Sequence, residues 1–100
     1  MTKSALRRRL TALEIAERLK TMTGWSRKVG VISKTYQFKN YYEAVAFVNA
    51  TAWISNRADH HPDIVLGYNQ CQVNYTSHDV GGLSGRDFVC AAKVDSLFTL

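Results

Sequence analysis

Two stretches of the chain change between apolar and polar character at every second residue, and three repeat their apolar residues every third or fourth. From Val31 to Phe38, one side carries Val31, Ser33, Thr35 and Gln37, and the other carries Ile32, Lys34, Tyr36 and Phe38. That is the period of a half-buried strand, and its β-branched and aromatic residues suit a pleated surface. A partner strand is predicted just before it, around Lys28. "CQVNYT" alternates in the same way, with Cys71, Val73 and Tyr75 on one face, and "IVL" before it reads as a further short strand.

The helical stretches carry start signals. Thr11-Ala-Leu-Glu14 has the form of a capping box, in which each end satisfies an amide of the first turn. Leu13, Ala16, Leu19 and Met22 follow at helical spacing, and Gly24 closes the element. Asn40 with Glu43 opens a second helix over Tyr41 to Ala58, with a stripe of Tyr41, Ala44, Val45, Val48, Ala52 and Ser55, and Phe47 and Ile54 beside it. Pro62 cannot continue that helix and favours an extended His61. Ser84-Gly-Arg-Asp87 repeats the capping signal after the "VGGLSG" turn, before a last helix through Phe98.

The order α-β-β-α-β-β-α implies an α+β sandwich: a four-stranded antiparallel sheet with three helices packed on one face. The other face is left to solvent or to another subunit. Residues 1–10 read as a basic N-terminal arm and residues 11–100 as a single domain.

Composition narrows the class. The 100 residues are 46% hydrophobic, enough for one core. No run approaches the ~20 apolar residues of a membrane span, and the start lacks a signal-peptide apolar region, so a soluble, cytoplasmic protein is expected. The Arg-rich start has a faint likeness to an organelle transit peptide, against which a helix begins almost at once. Cys71 and Cys90 lack C-x-x-C spacing and are expected to be free core thiols. The net charge of +5 is uneven: ten Lys/Arg against two acids before Asn40, three against six from there on. An anionic partner such as nucleic acid could be held by Lys3, Arg7, Arg8 and Arg9, but no nucleic-acid motif accompanies them, and a solvated basic arm is the simpler reading.

The candidate chemistry lies in the acidic half. The three histidines are His60, His61 and His78, on two loop edges with Asp59, Asp79 and Asp87 near in sequence. They could be unrelated polar residues, with Asp87 only capping a helix. A metal site is disfavoured because neighbouring residues on a helix point ~100° apart, unlike an i, i+4 pair. Acid–base catalysis without a cofactor is the third reading, since one imidazole can donate a proton while another accepts one. Ser77 has no G-x-S-x-G surroundings to make it a nucleophile.

"DHHPDIVLGYNQCQVNYTSHDVGGLSGRD" resembles the signature of the pterin-4a-carbinolamine dehydratases: His60-His61-Pro62, Tyr68, His78 and Asp87, each at the family's spacing. The resemblance extends over about residues 11 to 98, through Gly24-Trp25, "YQFKNYYEA" and Phe47. It implies dehydration of 4a-hydroxytetrahydropterin to quinonoid dihydropterin, in tetrahydrobiopterin recycling, with neither metal nor cofactor. It further implies His61 and His78 as the acid–base pair, His60 binding and orienting the pterin, and Asp87 as electrostatic support. Asp59, Thr76, Ser77 and Asp79 are implied as hydrogen-bonding partners of the ring. A homodimer or homotetramer is implied, with neither nucleic acid nor membrane as a direct partner. Two positions depart from the family pattern: Asn56 replaces a frequent glutamate, and Ile64 replaces an aromatic. The alternative is a catalytically weak partner-binding module of the same fold, a transcription coactivator or assembly factor.

Overall fold

The computed structural model describes residues 3–98, the side chains of residues 3 and 4 excepted. Four strands form one antiparallel sheet in the order β1-β2-β4-β3: β1 Ser26–Lys28, β2 Val31–Gln37, β3 Asp63–Leu66 and β4 Gln70–Tyr75. β2 and β4 are central, paired from Ile32↔Tyr75 to Gln37↔Gln70. The alternation read from the sequence holds. Ile32, Tyr36, Cys71, Val73 and Tyr75 are buried, while Ser33, Thr35, Gln37, Gln72 and Asn74 lie on the open face, where Ser33 donates a short hydrogen bond to Asn74.

Four α-helices are present among the described residues where three were expected: α1 Lys3–Arg7, α2 Ala12–Leu19, α3 Tyr41–Ala58 and α4 Gly85–Asp95. The added one, α1, falls in the segment read as an arm; five residues carry no amphipathic period long enough to reveal a helix. Thr11 and Glu14 make the anticipated capping box, and Arg8 grips Glu14 at 2.9 and 2.7 Å, which holds the Glu14 carboxyl at about 2. α4 runs on into a 3-10 turn, Ser96–Phe98.

The core lies between the sheet and α2, α3 and α4. Both apolar stripes are rotated from those read in the sequence. In α2 the buried residue is Ile15, with Leu19, and Met22 just beyond the helix, partly buried and Leu13 73% exposed. In α3 the buried line is Ala44, Phe47, Thr51 and Ser55, whereas Tyr41 and Ala52 are exposed. The cause in α3 is aromatic bulk: the Phe47 ring sits 4.6 Å from Tyr36 and 5.1 Å from Phe38, and the helix turns to admit it. Cys71 and Cys90 are free and buried, as expected of core thiols, and burial pushes the Cys90 thiol up to about 11.

Asp95 anchors the far end of α4. Its Oδ1 accepts from Lys34 Nζ at 2.9 Å and Tyr36 Oη at 2.5 Å, and its Oδ2 accepts from Trp25 Nε1 at 3.0 Å. Burial alone would raise this carboxyl, but the three donors outweigh it and hold the group below its ordinary value. The folded group is therefore the stronger acid. Its contribution to stability is complete above the ordinary carboxylate range and is lost as pH falls through the folded value. Asp95→Ala is expected to lower unfolding free energy in urea by on the order of 2–3 kcal/mol at neutral pH, and to flatten the acid limb of stability against pH. An unchanged midpoint would show that the three donors are equally well served by water.

Candidate functional site

The site is built where three chain segments meet at one end of the sheet. The first is the exit of α3. Asp59 adopts the left-handed conformation, φ 51°, ψ 42°, and is the one non-glycine residue with positive φ among those described. Its N–H donates to Asn56 O at 3.3 Å and the His60 N–H to Ser55 O at 3.1 Å, the paired bonds of a Schellman turn. Helix α3 thus stops at Asp59, ahead of the proline, and the turn separates the adjacent histidines: His60 is buried and His61 exposed.

The second segment follows β4. The ladder between β3 and β4 ends at Asp63↔Asn74, so the residues before Asp63 and after Asn74 emerge at the same sheet end. Thr76 donates to Gly30 O at 2.5 Å. Ser77 is buried and bridges back to Gly82, and His78–Val80 form a 3-10 turn that leaves His78 and Asp79 exposed. The third segment is the start of α4, where Ser84 and Asp87 make the predicted capping box.

Asp87 joins the three. It is fully buried, and its Oδ1 accepts from His60 Nε2 at 2.5 Å. Its Oδ2 accepts from Ser77 Oγ at 2.8 Å and from the Ser84 N–H at 2.9 Å. A carboxylate only accepts, so the His60 proton on this side is on Nε2 and Nδ1 is the nitrogen left for other partners. Ser77 has one hydroxyl proton, given to Asp87; the 2.8 Å contact between Ser77 Oγ and Ser84 Oγ is therefore donated by Ser84. Ser84 Oγ in turn accepts from Arg86 N and Arg86 Nε.

The His60 ring also stacks on Tyr75, 5.8 Å between centroids and 14° between planes. Ser55 Oγ donates to Thr51 O, so the Tyr75 hydroxyl donates to Ser55 at 3.3 Å. Burial pushes the Tyr75 phenol up to about 12. His60 is thus held at its edge by a carboxylate and on its face by a ring.

The sequence-derived candidates divide into layers. His60, Ser77 and Asp87 form a buried base; Asp59, His61, His78 and Asp79 are exposed above it, and Thr76 is half-buried. Asp79 accepts from Arg86 Nη2 at 2.7 Å, which holds its carboxyl below the usual value. Tyr68 is not brought in: it lies in the β3–β4 hairpin turn, at the opposite end of those strands. Ser84, Tyr75 and Arg86 belong to the network without having been singled out as site residues. Ser84 and Tyr75 had a signal, a helix cap and an inward tyrosine at a strand end, but nothing in the sequence shows that both point at His60. A cleft of about 220 Å³ opens beside His60 and Asp59 and is otherwise walled by α1, the last residue of α3 and α4. Among the described residues no group of three or more His, Cys, Asp or Glu is placed to hold a metal ion. Nor is any helix long and apolar enough to cross a membrane.

This fold is shared with the transcriptional coactivator/pterin dehydratase of Brucella melitensis, at TM-score 0.86 and 28% identity over 90% of this chain and 98% of that one. A pterin dehydratase-like protein identified as a RuBisCO assembly factor in the alpha-carboxysome is also similar, at TM-score 0.60 and 26% identity over 73% of this chain and 84% of that one. The class is therefore that of the pterin dehydratases, hydro-lyases on an α+β scaffold. Residues 8–97 match the pterin 4 alpha carbinolamine dehydratases, and the chain belongs to that family. It is 55% identical over 91 residues to a Nitrosospira multiformis protein assigned as a pterin-4-alpha-carbinolamine dehydratase, covering 91% of this chain and 80% of that relative.

Asp87→Ala leaves the His60 ring, the Ser77 hydroxyl and the Ser84 amide without their acceptor. It is expected to cost about 2–4 kcal/mol in urea unfolding, against about 1 kcal/mol for Ser77→Ala. In NMR the slowly exchanging Nε2 proton of His60 should vanish in Asp87→Ala and persist in Ser77→Ala.

Proposed function

We propose that this chain dehydrates 4a-hydroxytetrahydropterin to quinonoid dihydropterin and water, with His61 and His78 as the acid–base pair. One imidazolium gives its proton to the 4a-hydroxyl as the carbon–oxygen bond breaks. The other imidazole takes the N5 proton, and the N5–H bonding pair becomes the double bond between C4a and N5. Protons and electrons balance without a redox step. His61 and His78 are the exposed histidines, on adjacent segments at one sheet end, and family membership supports a pterin as the molecule between them.

The observation that carries this reading is the buried His60–Asp87–Ser77 base. A fixed imidazole with a known donor side is suited to orienting a flat heterocycle rather than to shuttling protons, which leaves transfer to its two exposed neighbours. Asp59, Asp79 and Thr76 would contact the ring's polar edge, while Ser77 would act through Asp87. Placement of the reaction in tetrahydrobiopterin recycling in the cytoplasm, by a homodimer or homotetramer, belongs to the same proposal.

A partner-binding role is the second reading, favoured by the descriptions of the two solved relatives as a coactivator and an assembly factor. The two separate on turnover. His78→Ala and His61→Ala, both at exposed positions, are expected to keep the wild-type melting temperature and to lose about 10²–10⁴-fold in dehydration rate. His60→Ala should lose pterin affinity and stability together. The assay follows freshly generated carbinolamine by ultraviolet absorbance, with and without chelator, which is expected to change nothing. A folded His78→Ala variant with wild-type turnover would falsify the mechanism.

A further inference from the structure

The cleft beside His60 owes one wall to the segment preceding the first capped helix. That segment is fastened to the loop after His78. Arg9 and Ser84 form an antiparallel bridge, and the Leu10 N–H donates to Leu83 O at 2.8 Å. Ahead of it, Leu6 of α1 lies so close to Gly85 that a Cβ there would come within 3.0 Å of Leu6 Cδ2. α1 therefore sits against the start of α4 and brings Arg7 into the cleft, where α4 contributes Arg86 and Lys93.

Three cations thus line a cleft with one carboxylate, Asp59. Arg86 is already paired with Asp79 outside it. The Arg7 and Lys93 side chains form no ion pair or hydrogen bond among the described residues. Arg7 is near enough to Asp79 to help lower that carboxyl, but the direct partner of Asp79 is Arg86. Arg7 and Lys93, on separate elements, thus keep their donors open for a compact dianion, and an arginine fork matches phosphate oxygens. The volume of about 220 Å³ is below the ~300 Å³ at which pockets begin to enclose whole small ligands, so it suits a substituent rather than an entire substrate. Asp59 stands both in the ring-contacting set and in the cleft wall, which places the cleft next to a bound ring.

We infer that the cleft is a subsite for a phosphate-bearing side chain on the pterin, with Arg7 and Lys93 as its cations. The inference rests on the dehydratase reading for the ring and adds the class of substituent. The basic segment then belongs to the site, as a strap that selects substrate.

The test measures affinity by calorimetry for two stable pterins, 6-hydroxymethyl-dihydropterin and its phosphate ester, on wild type, Arg7→Gln, Lys93→Gln and the double variant. The ester is expected to bind about tenfold tighter to wild type. That ratio should fall in each single variant, approach one in the double variant, and shrink as salt rises. Inorganic phosphate should compete with the ester and not with the neutral pterin. Equal affinities for ester and neutral pterin in wild type, or a ratio untouched by both substitutions, would overturn the subsite. Dehydration of the neutral carbinolamine is followed separately. Its absence alongside an Arg7- and Lys93-dependent ester ratio would sink the catalytic reading and keep the subsite, whereas neither pterin binding would sink both.

Discussion

A carboxylate taken fully out of water has to be answered by donors, and Asp87 is answered from three directions. Its partners come from the end of α3, the segment after β4 and the cap of α4 itself, which lie 27, 10 and 3 residues away along the chain. Each donor satisfies the buried charge only if its segment is in place, so one group sets the register of all three. The orientation of His60 follows from it, because an acceptor-only partner at Nε2 assigns the tautomer. The side chain that caps a helix here also aims an imidazole.

The opposite end of α4 is arranged in a complementary way. A negative charge near a helix C-terminus is unfavourable on its own, and Asp95 is offset by Lys34, Tyr36 and Trp25. The helix is therefore tied to the chain at both ends by a carboxylate, one facing the histidines and the other the aromatic cluster of Tyr36, Phe47 and Phe98. Between them Phe88, Ala91 and Val94 supply the apolar contact. Rigid placement at each end allows the residues above Asp87 to remain exposed without losing their positions.

Much of this was legible in the order of residues. Strand alternation placed Ile32, Tyr36, Cys71, Val73 and Tyr75 inward because a pleat has a period of two and admits no other phase once one face is apolar. The bounds of α3 followed from Asn40 at one end and Pro62 beyond the other. The rotation of the helices did not follow, because Leu13–Ala16 and Ile15–Leu19 both satisfy helical spacing in α2, and only packing chooses between them. The Schellman turn at Asp59 was hidden by the proline three residues later, which offered a sufficient local reason for the helix to stop.

The sequence by itself determined the antiparallel α+β arrangement, the three capped helices and the shortlist of histidines and acids, since each rests on local periodicity or on spacing within one segment. Tertiary structure alone decided which histidine is buried, that Ser77 joins the Ser84 cap on Asp87, that Tyr75 stacks on His60, and that the basic segment is fastened beside the site. Those are contacts between separate elements. A residue's type and spacing fix what it can donate or accept, whereas its partner is fixed by where the core brings the other segment.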